Sequence, residues 1–227
     1  MKITKVNCPK SKYSIKCPYE MKKAGIVVHN TANDASAMAE VSYMLGNNNK
    51  VSFHGAIDDK RVVLGLPFER NSFSCGDGRN GKGNRTQISL EICYSKSGGK
   101  RFEQAEELAA EYIAHLLKKY NWGIDKVSKH QDYSKKYCPH RTLDLGWNRF
   151  LKKIEKYLNK TNKTTFKEYK VKINTDVLNV RKDANTTSKV ITTVKKNEIY
   201  TIVEEKDGWG KLKSGTGWIK LSYAKKV

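Results

Sequence analysis

No stretch of the 227-residue sequence is long and apolar enough to cross a bilayer. The opening Met1-Lys2-Ile3-Thr4-Lys5-Val6-Asn7 lacks the apolar core of a secretory signal. The expectation is a protein that inserts in no membrane and is made and kept in the cytoplasm, or leaves it by a route not encoded here. Cysteine is sparse and shows no pairing pattern. Cys8, Cys17, Cys75, Cys93 and Cys138 make an odd number with no C-x-x-C pair, which argues against a disulfide framework and leaves thiols free for a metal or for nucleophilic work. Acidic residues are scarce as well: 23 Asp and Glu stand against 44 Lys and Arg, a net charge of +21. The excess is spread along the chain, and a field of that sign draws a protein to a polyanion such as nucleic acid, an anionic membrane or an anionic cell wall. No helix concentrates arginine and aromatics in the pattern of a nucleic-acid reader, so that class is set aside.

The texture changes near residue 159. Upstream, helical and strand patterns alternate over residues 1–158. Residues 159–168 begin with Asn159-Lys160-Thr161-Asn162-Lys163-Thr164-Thr165, a run without a buried-type residue that reads as a linker. Residues 169–227 carry short runs rich in Val, Ile, Thr, Tyr and Trp: Tyr169–Ile173, Leu178–Arg181, Ser188–Val194, Ile199–Glu204, Trp209–Leu212 and Trp218–Leu221. They predict a small all-β barrel. Trp209 and Trp218 can serve either its core or a ligand shelf, with core favoured for Trp218.

In the first part, residues 24–28 read as a strand buried on both faces and ending at His29. Residues 35–45 form a predicted helix, with Asn33, Asp34 or Ser36 as cap. Helical spacing recurs over residues 102–120 and again from Trp147 to Leu158. Between them Gln87–Cys93 alternates, turning Ile88, Leu90 and Ile92 to one face and Gln87, Ser89, Glu91 and Cys93 to the other. The fold class is α/β, a mixed sheet with helices packed on it.

Three side chains at element ends have the chemistry of metal ligands: His29, His130 and Cys138. Two imidazoles and a thiolate suit Zn²⁺ and leave one tetrahedral position for water. Spacing alone leaves this set open against histidines that are merely scattered in the fold. His115, well off the apolar face of its helix, reads as a boundary or surface residue, and Asp132 as an exposed loop acid or a partner orienting an imidazole. Cys93 reads as a buried thiol, with a nucleophile as the alternative.

In chain order stand Val28-His29-Asn30-Thr31-Ala32, Phe53-His54, Cys75-Gly76-Asp77-Gly78, Leu90-Glu91-Ile92 and His130 with Cys138-Pro139-His140-Arg141. In this order the motifs resemble the type 2 N-acetylmuramoyl-L-alanine amidases, a family that includes peptidoglycan recognition proteins and phage lysins, over most of residues 20–145. The resemblance implies Zn²⁺ held by His29, His130 and Cys138, and cleavage of the amide between the lactyl group of muramic acid and L-alanine in peptidoglycan. It implies that Glu91 is the acid–base group and that Lys136 steadies the oxyanion. Phe53 stands where some relatives carry tyrosine, which puts the proton work on Glu91. Gly76 and Asp77 are expected to line the substrate groove, and His54 and His140 to touch substrate. The alternative for these four is an ordinary turn or a structural hydrogen bond. Residues 178–181, 208–212 and 217–219 resemble bacterial SH3-like domains, which implies attachment to peptidoglycan or to anionic wall polymers. The rival readings are a non-catalytic peptidoglycan-binding protein and a thiol-dependent wall peptidase using Cys93 or Cys75.

Overall fold

The computed structural model describes residues 1–160 and 166–227; residues 161–165 of the expected linker lie outside it. The chain divides into two compact units, Met1–Thr161 and Asn162–Val227.

In the first unit the elements run β1 (Ile3–Lys5), α1 (Tyr13–Lys16), β2 (Gly25–Asn30), α2 (Ala37–Gly46), β3 (Gly55–Ile57), β4 (Val62–Leu64), α3 (Lys82–Thr86), β5 (Gln87–Ile92), α4 (Gly99–Tyr120), β6 (Val127–Lys129), α5 (His140–Asp144) and α6 (Trp147–Asn159). The six strands form one sheet in the order β1-β4-β3-β5-β2-β6. Pairing is parallel except between β3 and β4, so the sheet is mixed and helices flank it, as expected. The register sets His29 beside Glu91 and Ala56 on Glu91's other side.

Residue chemistry explains the long elements. Ile26 and Val28 of β2 and Ile88, Leu90 and Ile92 of β5 are wholly buried in one cluster with Phe102, Ala105, Ile113 and Leu117 of α4. Burying each large side chain contributes about 1.5–3 kcal/mol. Helix α2 begins at Ser36, whose side chain accepts from the Ala39 amide. Of the three candidate caps, Ser36 therefore does the capping, while Asn33 bonds the Ala35 amide and Asp34 bonds Ser97. Two expectations for β5 change. Its second face is buried too, and the strand ends at Ile92, with Cys93 wholly buried inside the apolar cluster.

Helices α4 and α6 pack together around Glu106. This carboxylate is fully buried, and it accepts from both Nη atoms of Arg149 at 2.7 Å and from Lys153 at 3.0 Å.

The second unit is a single antiparallel sheet of β7 (Tyr169–Ile173), β8 (Val177–Arg181), β9 (Val190–Lys195), β10 (Ile199–Lys206), β11 (Trp209–Leu212), β12 (Trp218–Lys220) and β13 (Ala224–Lys226), in the order β13-β7-β10-β11-β12-β8-β9. Its core is Val171, Ile173, Leu178, Val180, Val194, Ile202, Leu212 and Ile219. Trp218 is buried, as favoured, and so is Trp209. Each ring lies beneath a lysine, Lys211 over Trp218 and Lys220 over Trp209.

Removing one partner of a buried ion pair leaves a desolvated charge. Arg149→Ala, which strips the buried Glu106 of its bidentate partner, is therefore expected to lower the stability of the first unit by roughly 3 kcal/mol, near the bottom of the buried-pair range because Lys153 still reaches Glu106. A denaturant titration checks this, and an unchanged midpoint would show that the pair carries no net stability.

Candidate metal centre

Strand β2 enters the site buried along its whole length and delivers His29 one residue before its end. Strand β6 runs parallel beside it and stops at Lys129, so His130 emerges at the same end of the sheet. The segment after His130 folds back, with the Gln131 amide donating to the Cys138 carbonyl at 3.0 Å, and this brings Cys138 under the two imidazoles. All three side chains are buried. His29 Nδ1 and His130 Nδ1 are 3.0 Å apart, Cys138 Sγ lies 3.9 Å from His29 Nδ1, and the three donor atoms all fall within 4.8 Å of one another. Among the described residues this is the one such group of His, Cys, Asp or Glu.

The donor set fits a cation. A tetrahedral zinc holds its nitrogens at ~2.0–2.1 Å and sulfur at ~2.3 Å, which puts neighbouring donors roughly 3.3–3.6 Å apart. Burial, reinforced by His130 and Lys136, holds the His29 imidazole well below its usual range. Burial and Lys136 lower His130 in the same direction. Both rings are thus neutral and have lone pairs to give. Burial pushes the Cys138 thiol up to about 11, so an incoming cation displaces its proton.

Glu91 closes the other side. Its Oε2 is buried without a hydrogen-bond partner among the described residues, and burial, with help from Glu40, raises its carboxyl to about 8 against the pull of Lys136. A cleft of about 240 Å³ opens here, lined by Glu91, Lys136, Cys138, Phe53, Glu40 and His140 among others. Lys136 is exposed at its edge. Gly76, in the left-handed region at φ 67°, backs onto the His130 ring: a Cβ there would meet Nε2, the nitrogen not used in the cluster, at 3.6 Å.

Two expected substrate contacts are structural instead. His54 is wholly buried, with one ring nitrogen bonded to the Arg70 carbonyl and the other accepting from the Ser89 amide, both at 2.9 Å. The Asp77 carboxylate accepts from the Gly83 and Asn84 amides at the start of α3. Both ring nitrogens of His54 and both oxygens of Asp77 are therefore in use. Asp132 bonds the Lys129 amide, and His115 is exposed. Neither thiol rival bonds a histidine through its sulfur among the described residues: Cys75 and Cys93 are wholly buried, and burial raises both thiols, Cys75 to about 12.

Glu40 was missed. It sits in the cleft, hydrogen-bonded by Asn33 at 2.6 Å. On the sequence it is one more polar residue of an amphipathic helix. Its neighbour Val41 marks the buried face, but nothing marks the opening beside it.

A family model described as N-acetylmuramoyl-L-alanine amidase matches residues 20–141, more than half of the chain. The chain belongs to this family. A bacterial SH3 domain model matches residues 176–225. N-acetylmuramoyl-L-alanine amidase XlyB of Bacillus subtilis (strain 168) is 57% identical over 150 residues, which are 66% of this chain and 47% of that protein. N-acetylmuramoyl-L-alanine amidase CwlA of the same strain is 54% identical over 161 residues, 70% of this chain and 59% of that protein. The chain thus spans about half the length of the curated relatives it matches. The solved structure of PlyL superposes with a TM-score of 0.66 at 54% identity, covering 68% of this chain and 97% of that one. The amidase-family unit therefore carries the metal-type cluster, and no helix of the described residues is long and apolar enough to cross a membrane.

One divalent metal per chain is expected in the purified protein, and His29→Ala or Cys138→Ala should each remove most of it. Elemental analysis of the folded variants reads this directly, and full occupancy in either would refute the assignment.

Proposed function

We propose that the chain is a peptidoglycan amidase that hydrolyses the bond between the lactyl group of muramic acid and L-alanine, with zinc at His29, His130 and Cys138. The observation that carries this reading is the buried nitrogen–nitrogen–sulfur cluster next to an unpartnered buried carboxylate, both opening on one cleft. When bound, zinc supplies Lewis acidity toward the scissile carbonyl and a nucleophilic water near neutral pH.

The chain's own residues do the rest. Glu91 takes the proton of the attacking water and returns it to the leaving amine of L-alanine. A base needs a free lone pair, and the unpartnered Oε2 has one. Its carboxyl, raised by burial, must ionise for this work, and a cation held by the neighbouring ligands would favour the ionised form. Lys136, exposed at the cleft edge, faces the negative charge that develops on the carbonyl oxygen. Phe53 is buried beside them and contributes no proton.

The second unit supports wall attachment. Residues 169–227 carry 13 Lys and Arg against 6 Asp and Glu, and tethering raises the local concentration of the catalytic unit at an anionic wall.

Mass spectrometry of digested peptidoglycan should show new free N-terminal L-alanine and intact lactyl groups. Release of reducing sugar ends or cleavage within the stem peptide would place the activity elsewhere. Glu91→Gln should keep metal and fold yet lose ~10²–10⁴-fold in rate, with Lys136→Ala costing the same or less. Near-normal cleavage by Glu91→Gln would remove Glu91 from the mechanism.

A chain ending at residue 160 should cleave small soluble muropeptides like the full chain and act at least about tenfold more slowly on whole walls. Equal rates on walls would mean the second unit does not tether.

A further inference from the structure

Two of the five thiols, Cys8 and Cys17, take part in none of the chemistry above. Both are free and both are buried in the apolar cluster of the first unit. The fold brings them together from two anchors. The Cys8 amide donates to the Gly65 carbonyl at 2.8 Å, just after β4, and the Cys17 amide donates to the Tyr13 carbonyl at 2.9 Å, closing α1. The Cys17 carbonyl in turn accepts from Arg70 Nε. So placed, the two side chains hydrogen-bond each other, the Cys17 thiol as donor and the Cys8 sulfur as acceptor.

The members of this pair differ in access. Cys17 is wholly buried, whereas Cys8 lines a pocket of about 490 Å³ together with Ile3, Asn7, Tyr13 and Leu66. That pocket shares no lining residue with the cleft beside the metal-type cluster. A small molecule that enters it meets Cys8 before Cys17. Burial raises both thiols, Cys17 to about 11. At Cys8 burial is opposed by the donated Cys17 thiol and by the ammonium groups of Lys16 and Lys12. A hydrogen-bond donor and cations around one sulfur favour its thiolate, the form that reacts.

We propose that Cys8 and Cys17 are a site of reversible disulfide formation by exchange with a small-molecule disulfide, with Cys8 reacting first. The Cys8 thiolate attacks one sulfur of the small disulfide, and the other sulfur leaves as a thiol with the proton that Cys8 lost. Cys17 then attacks the Cys8 sulfur, and the second small thiol leaves with the Cys17 proton. The two protein thiols give up two electrons and the small disulfide takes both. The bond closes a ring of ten residues, 8–17, around α1. That ring carries Lys12 and Lys16, whose amines hold residues 47–51. Val51 of that segment lines both the cleft and a larger cavity of about 680 Å³. Oxidation therefore ties down the support of the cleft wall and leaves the metal-type cluster untouched.

The test uses the full, metal-loaded chain, first reduced and then incubated with oxidised glutathione. Two of the five thiols should disappear, with no glutathione retained, and proteolysis should yield the peptides of Cys8 and Cys17 joined. Closing a ring of this size should raise the thermal midpoint by roughly 5–10 °C, and a reductant should reverse the rise. Cys8→Ser, a near-isosteric change at the pocket wall, should form no link and melt at one temperature with or without glutathione. Cys17→Ser should stop at a glutathione adduct on Cys8; should it fail to fold, the wild type and Cys8→Ser decide the matter. Five persistent thiols in the wild type would overturn the proposal. So would a lasting glutathione adduct beside a free Cys17, a link between other cysteines, or a linked chain that melts no higher than the reduced one. None of these readouts uses cleavage, so the result stands apart from the amidase reading.

Discussion

The site depends on the parallel pairing of β2 with β5 and with β6. Pairing in this register puts the His29 and Glu91 side chains on the same side of the sheet at adjacent positions. It also ends β6 where His130 must start. Side chains alternate along a strand, so a slip of one residue would carry His29 and Glu91 to the face now held by Val28 and Leu90. That face is the apolar core, where a carboxylate and an imidazole would lose their partners. The hydrophobic pattern of Ile26, Val28, Ile88, Leu90 and Ile92 therefore sets the positions of the polar groups as well as the stability of the sheet. The chemistry is held by the core's own preference for one register.

Burial is what makes these groups useful to one another. In water His29 and His130 would be partly protonated near neutral pH, Glu91 fully ionised, and Cys138 an ordinary thiol. Inside the sheet's end the imidazoles are pushed to the neutral form, and the carboxyl and thiol to their protonated forms. All four shifts have the same first cause, desolvation, which disfavours any isolated charge. A site arranged this way carries little charge when empty and gains greatly from a cation, since the cation stabilises a thiolate and a carboxylate together. Lys136 sits outside this dry region, exposed at the rim.

How much of this was legible in the sequence follows from where each residue's role is decided. Strands β2 and β5 and helices α4 and α6 carry their periodicity within one segment, so they could be read directly, as could the alternation that turns Glu91 away from Leu90. The three-residue strands β1, β3, β4 and β6 could not, because they are defined by pairing with distant partners rather than by any pattern of their own. His54 and Asp77 stand among the motif residues and looked like substrate contacts. What commits them to structure is the Ser89 amide and Arg70 carbonyl for one, and the Gly83 and Asn84 amides for the other. Those bonds exist only once the chain has folded. Glu40 was invisible for the complementary reason: a helix's polar face does not reveal which of its residues looks into a cleft.

Lys16 shows the same logic at the boundary between the two cavities. It is wholly buried and its ammonium has no carboxylate beside it. Instead it donates to the Asn47 side chain and to the carbonyls of Asn49 and Val51, and burial lowers its pKa. The neighbouring Lys12 reaches Asn47 and Asn48 from the same turn. These bonds hold residues 47–51, and that segment is the wall that the cleft beside the metal-type cluster and the larger cavity have in common. An apolar residue at position 16 could fill the space but would leave the carbonyls of Asn49 and Val51 without that donor and Asn47 Oδ1 with the Asn49 amide alone, and hydrogen bonds left unmade are costly. A loop exposed along most of its length cannot be fixed by packing, because too little of it is inside to pack. It can be fixed by one buried donor group that several of its oxygens must share, and the placement of Val51 between the two cavities follows from that.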